Sequence, residues 1–456
     1  MSGEPRRPGP GIGIGTRWQT LRRLPGKIAG SLRLLRSDPE ALAHNLLQFT
    51  HPALFERRLI DVMHAVPMHV LFDHRHGGAP RLNVLDSAWT QLGMTGGPNT
   101  IINLAARIAR EGIAVRLVST VQPNRIDPAW LRRHVAALTA GDKGIELTLA
   151  SAAEPGRPLE LGPRDGFIAT HWTTAQQLQE VLPLLPIRQF FYMLQEFEPA
   201  FYPWSSNYAR AVETYGMDFW PIVNEALLAE FLFSQPLGRL ADPLTRSRAV
   251  VFEPAVDANL FHLPPPDSPA RPRRLLFYAR PSNTRNMFGI GLMALRRVAA
   301  EAEFAGWEFL SIGSRGSVPN LSLGAGHVLR PAPWLDYVGY GELLRQADVL
   351  LCPMLSPHTS YPVLEMAACG GLSVTNGFAT KTAAAMATLS RNIITVGPTV
   401  RDFAEGLLRG ARTVIGGAPR EGSLAMARDW DTVLNPAARR VVEIFRGLQP
   451  PRGWPE

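Results

Sequence analysis

Glu365, Arg280 and Arg285 are the side chains whose types and spacing best fit an anionic ligand that also carries hydroxyl groups. Glu365 lies near the start of a predicted helix over residues 362–369, which follows a buried apolar strand over residues 347–355. Its carboxylate can accept hydrogen bonds from two neighbouring hydroxyls, as a ribose offers, or it can only complement the helix dipole. Arg280 and Arg285 stand five residues apart after another strand, so both cations can contact the same phosphates.

Two predicted helix starts offer backbone amides to such a ligand. Ligands of parallel α/β units sit beyond the carboxyl ends of the strands, where the N–H groups of Val363 and Leu364 are expected to be unpaired and to face a diphosphate. The second helix starts at Gly96 and Gly97, where the backbone can approach a ligand closely. Glycines at strand-to-helix turns are also common for packing reasons alone, so this motif is weak by itself.

Polar residues also end two apolar runs in the first half of the chain. His171 follows one run, and Gln195, Glu196 and Glu198 follow the other. Such ends supply ligand contacts at the mouth of a parallel sheet. A lone histidine after a strand is more often a structural residue, and that role stays open for His171.

These candidates are positioned by alternating strand and helix patterns from residue 82 onward. The alternation predicts an α/β protein with two Rossmann-like, doubly wound domains that face a cleft. We assign residues 1–81 to a basic, partly disordered and helical N-terminal extension, 82–245 to the first domain, 246–430 to the second, and 431–456 to a C-terminal helix and tail. The strand beginning at residue 248 is predicted to open the second domain.

The net charge of +8 is concentrated near the N-terminus, where residues 1–36 carry eight arginines and lysines against one glutamate. The rest of the chain is nearly neutral, which argues against nucleic-acid binding. The basic segment has the apolar spacing of an amphipathic helix that either lies on an anionic membrane surface or packs on the body of the protein. No apolar run is long enough to span a membrane, and no signal peptide is recognisable, so we expect a cytoplasmic protein.

The few residues that could suggest other chemistry have simpler explanations. Cys352 and Cys369 lie in apolar runs and are interpreted as reduced core thiols. Asp429 and Asp431 have the spacing of a metal-binding pair, but they lie near a helix start, where aspartates cap. We therefore expect no metal ion. A nicotinamide-dependent oxidoreductase is disfavoured because no GxGxxG turn follows a strand in either domain.

The arginine pair, the glycine turn and Glu365 together resemble the retaining glycosyltransferases of the GT-B fold, family 4, over about residues 82–435. In that family the basic pair contacts the diphosphate of a nucleotide-sugar, and the last glutamate of an E-x7-E signature contacts the ribose. Pro357 stands where the first glutamate would be. The segments SPH and SYP, together with QEFEPAFYPW and FYARPSNTRN, resemble bacterial rhamnosyltransferases that use dTDP-L-rhamnose to build surface polysaccharides.

The resemblance implies roles for the residues on each side of the cleft. His171, Glu196 and the turn at Gly96 and Gly97 would approach a glycan or lipid-linked glycan acceptor. We assign no general base, and Glu196 is a candidate only. The donor would be bound by a larger set in the second domain: Arg280, Arg285, Asn286, His358, Ser360, Tyr361, Val363, Leu364 and Glu365. Transfer of another activated sugar, or nucleotide-sugar binding without turnover, remain the alternatives.

Overall fold

A computed structural model describes Thr50 and residues 66–73, 78–94, 96–139, 141–142, 144–266, 271–314 and 319–451. The chain divides into two compact units, Met1–Met63 and His64–Glu456, and every helix and strand given below belongs to the second. The predicted amphipathic helix of the basic extension, and its membrane contact, lie outside the described residues.

The first domain is built on a seven-stranded sheet. The strands from the N-terminal side of the chain are β1 (Val70–Phe72), β2 (Arg81–Asp86), β3 (Ala114–Ser119), β4 (Leu147–Ser151), β5 (Leu159–Leu161), β6 (Asp165–Ala169), β7 (Phe190–Leu194), β8 (Phe219–Asn224) and β9 (Val250–Phe252). Strands β4, β3, β2, β6, β7, β8 and β9 form the parallel sheet in that spatial order, while β1 and β5 pair separately. Every residue of β6 and β7 is buried, as expected of central parallel strands covered on both faces.

Helices cover both faces of this sheet. They are α1 (Gly96–Arg110), α2 (Pro128–Leu138), α3 (Trp172–Val181), α4 (Ser206–Glu213), α5 (Ala226–Ser234) and α6 (Pro243–Arg248). The start of α2 follows directly from its sequence, because the Asp127 side chain accepts from the amides of Ala129 and Trp130 and a proline occupies the first turn.

The second domain repeats the arrangement. Its strands are β10 (Arg274–Tyr278), β11 (Glu308–Ile312), β12 (Leu321–Gly324), β13 (His327–Pro331), β14 (Val349–Leu351), β15 (Leu372–Asn376) and β16 (Ile393–Val396). They lie in the order β12, β13, β11, β10, β14, β15, β16, and only β12 runs antiparallel to its neighbour. The helices of this part are α7 (Phe288–Val298), α8 (Tyr337–Arg345), α9 (Tyr361–Ala368), α10 (Ala383–Leu389) and α11 (Val400–Ile415). The predicted pair of Rossmann-like domains is therefore confirmed.

The predicted domain boundary at residue 245 is wrong. Strand β9 does not open the second sheet: it pairs in parallel with β8, with Val250 opposite Ile222, so the first sheet extends to Phe252. A three-residue apolar strand looks the same at the end of one sheet or the start of the next, which is why the sequence pattern misplaces it.

The C-terminal helix α12 (Trp430–Gly447) packs against α1 and β9 of the first domain. Phe445 is fully buried there, and a side chain at Gly166 would lie 2.4 Å from its ring. Asp431, in the first turn, pairs with the buried Arg107 at 2.6 Å. The structure shows no helix, within the ranges it describes, that has both the length and the apolar character needed to cross a membrane.

Candidate functional site

The two domains contact each other at the loop of residues 356–361, which follows β14 and leads into the first residue of α9. Thr359 donates from its backbone N–H to Glu225 Oε1 at 2.7 Å and from its hydroxyl to Oε2. The Tyr361 hydroxyl accepts from Asn224 and lies 3.2 Å from Thr100 Oγ1. We call these five residues the interdomain clamp: Thr100, Asn224, Glu225, Thr359 and Tyr361. Three come from the first domain, so the geometry of a second-domain loop depends on the first domain.

Glu196 and Arg285 form the next contact between the domains. Arg285 Nη1 lies 3.5 Å from Glu196 Oε2, and the Arg285 side chain is only 14% exposed. The guanidinium carbon also lies 4.4 Å from the centre of the Phe201 ring, a cation–π contact. Ser356 donates to the other oxygen of Glu196. The sequence-predicted donor cation and acceptor-side carboxylate are thus neighbours.

Arg285 has hydrogen-bonding capacity that the described residues do not use. Its Nε and Nη1 atoms are buried and have no hydrogen-bond partner in the described part of the chain. Unpaired N–H donors of a buried cation are costly, by roughly 1–3 kcal/mol for each unsatisfied group. This guanidinium is therefore suited to receive an anion.

A second buried cation, Lys381, contacts the segment that leads into the loop of residues 356–361. Its side chain is 0% exposed and donates to the Met354 carbonyl at 2.9 Å, at the end of the segment that leads into the loop. Burial lowers the pKa of Lys381 to about 8, and the carboxylates of Glu196 and Glu225 act in the opposite direction. Sequence analysis missed this residue because nothing in the turn after β15 indicates that it is buried against the cleft.

The start of α9 differs from the prediction. The amide of Val363 is not free, because it donates to the Ser360 carbonyl at 3.1 Å. Ser360 itself has φ of +77°, a left-handed conformation that is strained for a serine. Leu364 is fully buried, and the amide of Ser360 is bound by His358 Nδ1 at 2.9 Å. His358 and Ser360 are buried in the interface, so this loop is less open than expected.

Glu365 lies in the second turn of α9, four residues after its start, so a role limited to the helix dipole is not favoured. The carboxylate is 6% exposed and accepts from the hydroxyls of Tyr337 at 3.2 Å and Tyr340 at 3.0 Å, both on α8. Burial raises the pKa of Glu365 to about 7, and the two phenol hydrogen bonds act in the opposite direction. Two hydroxyls therefore bind this carboxylate, one at each oxygen.

The half-buried His171 and the buried Glu198 lie together after the ends of β6 and β7. His171 caps α3, accepting at Nδ1 from the Thr173 amide, while its Nε2 lies 3.8 Å from Glu198 Oε1. Glu198 Oε2 accepts from the Trp172 amide at 2.7 Å. Burial lowers the pKa of His171 to about 4 and raises that of Glu198 to about 8, so both are uncharged near neutral pH. His171 therefore has a structural role as the cap of α3, and its Nε2 atom lies beside the Glu198 carboxyl group.

The remaining predicted residues have packing roles that the structure makes plain. A Cβ on Gly96 would lie 3.1 Å from the Tyr361 ring, whereas one on Gly97 would lie 3.6 Å from Gln195 Nε2. Asn286 is buried and donates to the Pro353 carbonyl at 3.3 Å. Arg280 is half-buried; burial raises the pKa of the Tyr278 hydroxyl, and the Arg280 charge acts in the opposite direction.

The expected cap at α12 is confirmed. Asp429 accepts from the amide and the hydroxyl of Thr432, each at 2.8 Å, and Asp431 is bound by Arg107. Within the described residues, no group of three or more histidine, cysteine, aspartate or glutamate side chains is placed to hold a metal ion.

Comparison with known proteins agrees with this architecture. Residues 81–224 match the N-terminal domain of the WsaF family and residues 273–408 match its C-terminal domain, so the two matches together span more than half of the chain. The chain is 34% identical over 291 residues to the "O-antigen biosynthesis protein RfbC" of Myxococcus xanthus, a match that covers 61% of this chain and 20% of that protein. The chain thus spans about one fifth of the length of this relative.

A solved structure, HepE from Anabaena in complex with UDP-glucose, superposes with a TM-score of 0.51 at 16% identity. The match covers 81% of this chain and 98% of that one. At this identity the likeness concerns the fold alone, which is GT-B.

Proposed function

The chain belongs to the WsaF family, whose two domains it carries in order, and on that premise we propose that it is a glycosyltransferase. The substrate we propose is dTDP-L-rhamnose, whose sugar is moved with retention of configuration to a growing bacterial surface glycan. The identity to an O-antigen biosynthesis protein supports a glycan acceptor. The rhamnose assignment rests on the segments SPH, SYP and QEFEPAFYPW.

The observation that carries the proposal is the buried Arg285 guanidinium in the cleft, whose Nε and Nη1 atoms make no hydrogen bond within the described residues and whose nearest charge is the Glu196 carboxylate. A diphosphate supplies the acceptors that these donors lack, and a charge-assisted hydrogen bond is stronger than a neutral one. Arg280, after the same strand β10, contributes a second cation. Glu196 would then lose its ionic partner to the donor and become available to the acceptor.

Glu365 is the proposed ribose contact. The hydroxyls of Tyr337 and Tyr340 already bind its two oxygens, Oε1 and Oε2. Tyr337 is the more exposed of the two, although its ring packs against Phe261 and Tyr340. A ribose diol would replace the Tyr337 hydroxyl, and on closer approach that of Tyr340, with no net loss of hydrogen bonds to the carboxylate.

The reaction then needs little from the protein beyond positioning and charge stabilisation. The bond between the sugar C1 and the phosphate oxygen breaks, and a bond forms between C1 and the acceptor hydroxyl oxygen on the same face. The leaving diphosphate takes the hydroxyl proton, which balances the step. Arg280 and Arg285 stabilise the charge that develops on the diphosphate, while His171 and Glu196 orient the acceptor. We place this reaction in the cytoplasm, with no metal ion taking part.

The test is release of nucleoside diphosphate from dTDP-L-rhamnose, UDP-glucose and GDP-mannose by the purified chain, with and without a saccharide acceptor. We expect turnover of dTDP-L-rhamnose that is lost in Arg285→Gln and kept in Arg297→Gln, an exposed arginine on α7. Turnover of another donor alone would contradict the rhamnose assignment. Donor binding without turnover in the unmodified chain would favour a non-catalytic binding protein.

A further inference from the structure

Trp204 is the most exposed large apolar side chain in the described part of the chain, at 90%. It lies in the loop between β7 and α4. Its backbone has φ of +28°, which is uncommon for a bulky residue and holds the indole outward at an energetic cost. A single exposed tryptophan needs no explanation by itself, so its surroundings decide whether it forms a site.

The indole is fixed by an aromatic stack that continues into the core. Its ring centre lies 5.2 Å from that of Tyr208, with the planes tilted by 33°. The Tyr208 ring in turn meets the buried Phe197 edge-on at 6.3 Å. The Tyr208 amide donates to Ser205 Oγ at 3.3 Å, which anchors the start of α4. The exposed aromatic surface is thus held in place before any ligand arrives, so little ordering entropy is lost on binding.

The loop that carries Trp204 starts at the cleft. Phe201, three residues earlier, lies against the Arg285 guanidinium at 4.4 Å. Tyr202 accepts a hydrogen bond at 3.1 Å from the indole of Trp172, the residue after His171. Three residues of chain span at most about 11 Å. Trp204 therefore lies within about 11 Å, Cα to Cα, of the residue that contacts the proposed donor cation, on the acceptor-side domain.

A glycan is the occupant that fits this position. Aromatic faces carry a negative quadrupole, which attracts the slightly positive C–H groups on the less polar face of a sugar ring. A chain of several sugars whose terminal hydroxyl reaches the cleft has further rings at this distance. We propose that Trp204 and Tyr208 form an acceptor subsite that stacks against a sugar ring of the growing glycan, behind the ring that receives the transferred sugar. This inference rests on the proposed function.

Saturation-transfer NMR tests the subsite without the donor. The probes are p-nitrophenyl α-L-rhamnopyranoside and the p-nitrophenyl glycoside of a rhamnose disaccharide, with the full chain, Trp204→Ala and Trp204→Phe. We expect the disaccharide to bind the unmodified chain, to bind Trp204→Ala about tenfold more weakly, and to bind Trp204→Phe with intermediate affinity. Leu244→Ala, which removes another exposed apolar side chain of the same domain, should bind as the unmodified chain does.

Three results would overturn the inference. They are equal disaccharide affinity in Trp204→Ala and the unmodified chain, no binding of either probe by the unmodified chain, and a dimer in solution that Trp204→Ala converts to a monomer. Binding of dTDP-L-rhamnose is measured in the same samples. It shows whether only the acceptor subsite fails or the proposed function fails as well. Trp204→Ala should retain donor affinity, since the indole makes no contact with the donor residues. A chain that binds the donor but shows no effect of Trp204 on saccharide binding disproves the subsite alone.

Discussion

The backbone amide of Thr359, in the second domain, donates to the carboxylate of Glu225, in the first, at a distance of 2.7 Å, and the Thr359 hydroxyl donates to the other oxygen. Both residues are buried. Glu196 binds Ser356 of the same loop. Two carboxylates of one domain thus set the conformation of the loop that opens α9 in the other, and docking of the domains is linked to the geometry of the proposed donor site.

Removal of the Thr359 hydroxyl should weaken the interdomain clamp. In Thr359→Val one buried oxygen of Glu225 loses its donor, at a cost of about 2 kcal/mol, which corresponds to a fall in Tm of about 2 to 3 °C in a chain of this length. Thr359→Ser keeps the hydroxyl and should melt within about 1 °C of the unmodified chain. Differential scanning calorimetry compares the three proteins. Equal Tm values for the valine and serine variants would show that the hydroxyl contributes nothing to the interface.

Gly96 and Gly97 provide a matched pair of substitutions in the first turn of α1. Alanine raises helix propensity at both positions, by up to about 1 kcal/mol. At position 96 the added Cβ would lie 3.1 Å from the Tyr361 ring, tighter than ordinary contact, whereas at position 97 the nearest atom is 3.6 Å away. We therefore expect Gly97→Ala to be neutral or stabilising and Gly96→Ala to lower the Tm. A stabilised Gly96→Ala variant would mean that the clamp tolerates displacement of Tyr361.

The pH dependence of stability should report on Glu365. Its pKa is about 7 in the folded chain against an ordinary value of 4.5. Between these values the folded chain holds a proton that the unfolded chain has released, so the free energy of unfolding falls as pH rises from 4.5 to 7. The effect is on the order of 3 kcal/mol.

The side chain in Glu365→Gln is neutral at every pH, so this variant should lack the part of the pH dependence that comes from Glu365. The Tm of each protein at pH 5 and at pH 8 gives the comparison, and Glu405→Gln, on the exposed face of α11, is the control that should keep the dependence of the unmodified chain. An identical loss of Tm between pH 5 and pH 8 in Glu365→Gln would place the pKa of this carboxyl in its ordinary range.

Local patterns in the sequence are enough to find most of the strand ends that carry the candidate site. Glu196, Arg285 and Glu365 were all selected because they follow a buried strand or open a helix, and the structure places Glu196 against Arg285. The same rule, applied to the end of β8, would have selected Asn224 and Glu225.

Other features depend on contacts that no local pattern contains. Tyr361 meets Thr100 across 261 positions of sequence, and the buried Lys381 donates to the Met354 carbonyl, 27 positions earlier. The amide of Val363 was expected to be free, but the left-handed Ser360 turns its own carbonyl toward it. Strand β9 pairs with β8, and helix α12 packs against α1 and β9 of the first domain. Neither a three-residue apolar strand nor an amphipathic helix specifies its partner by its own sequence.

The affinity of dTDP for the unmodified chain and for Arg285→Gln, by isothermal titration calorimetry, tests the central claim most directly. If the buried guanidinium binds the diphosphate, the substitution removes a charge-assisted contact and weakens binding by about 10- to 100-fold, or 1.4 to 2.8 kcal/mol, while Arg297→Gln binds as the unmodified chain does. Equal affinity in Arg285→Gln and the unmodified chain would contradict the account, because the phosphates would then lie elsewhere.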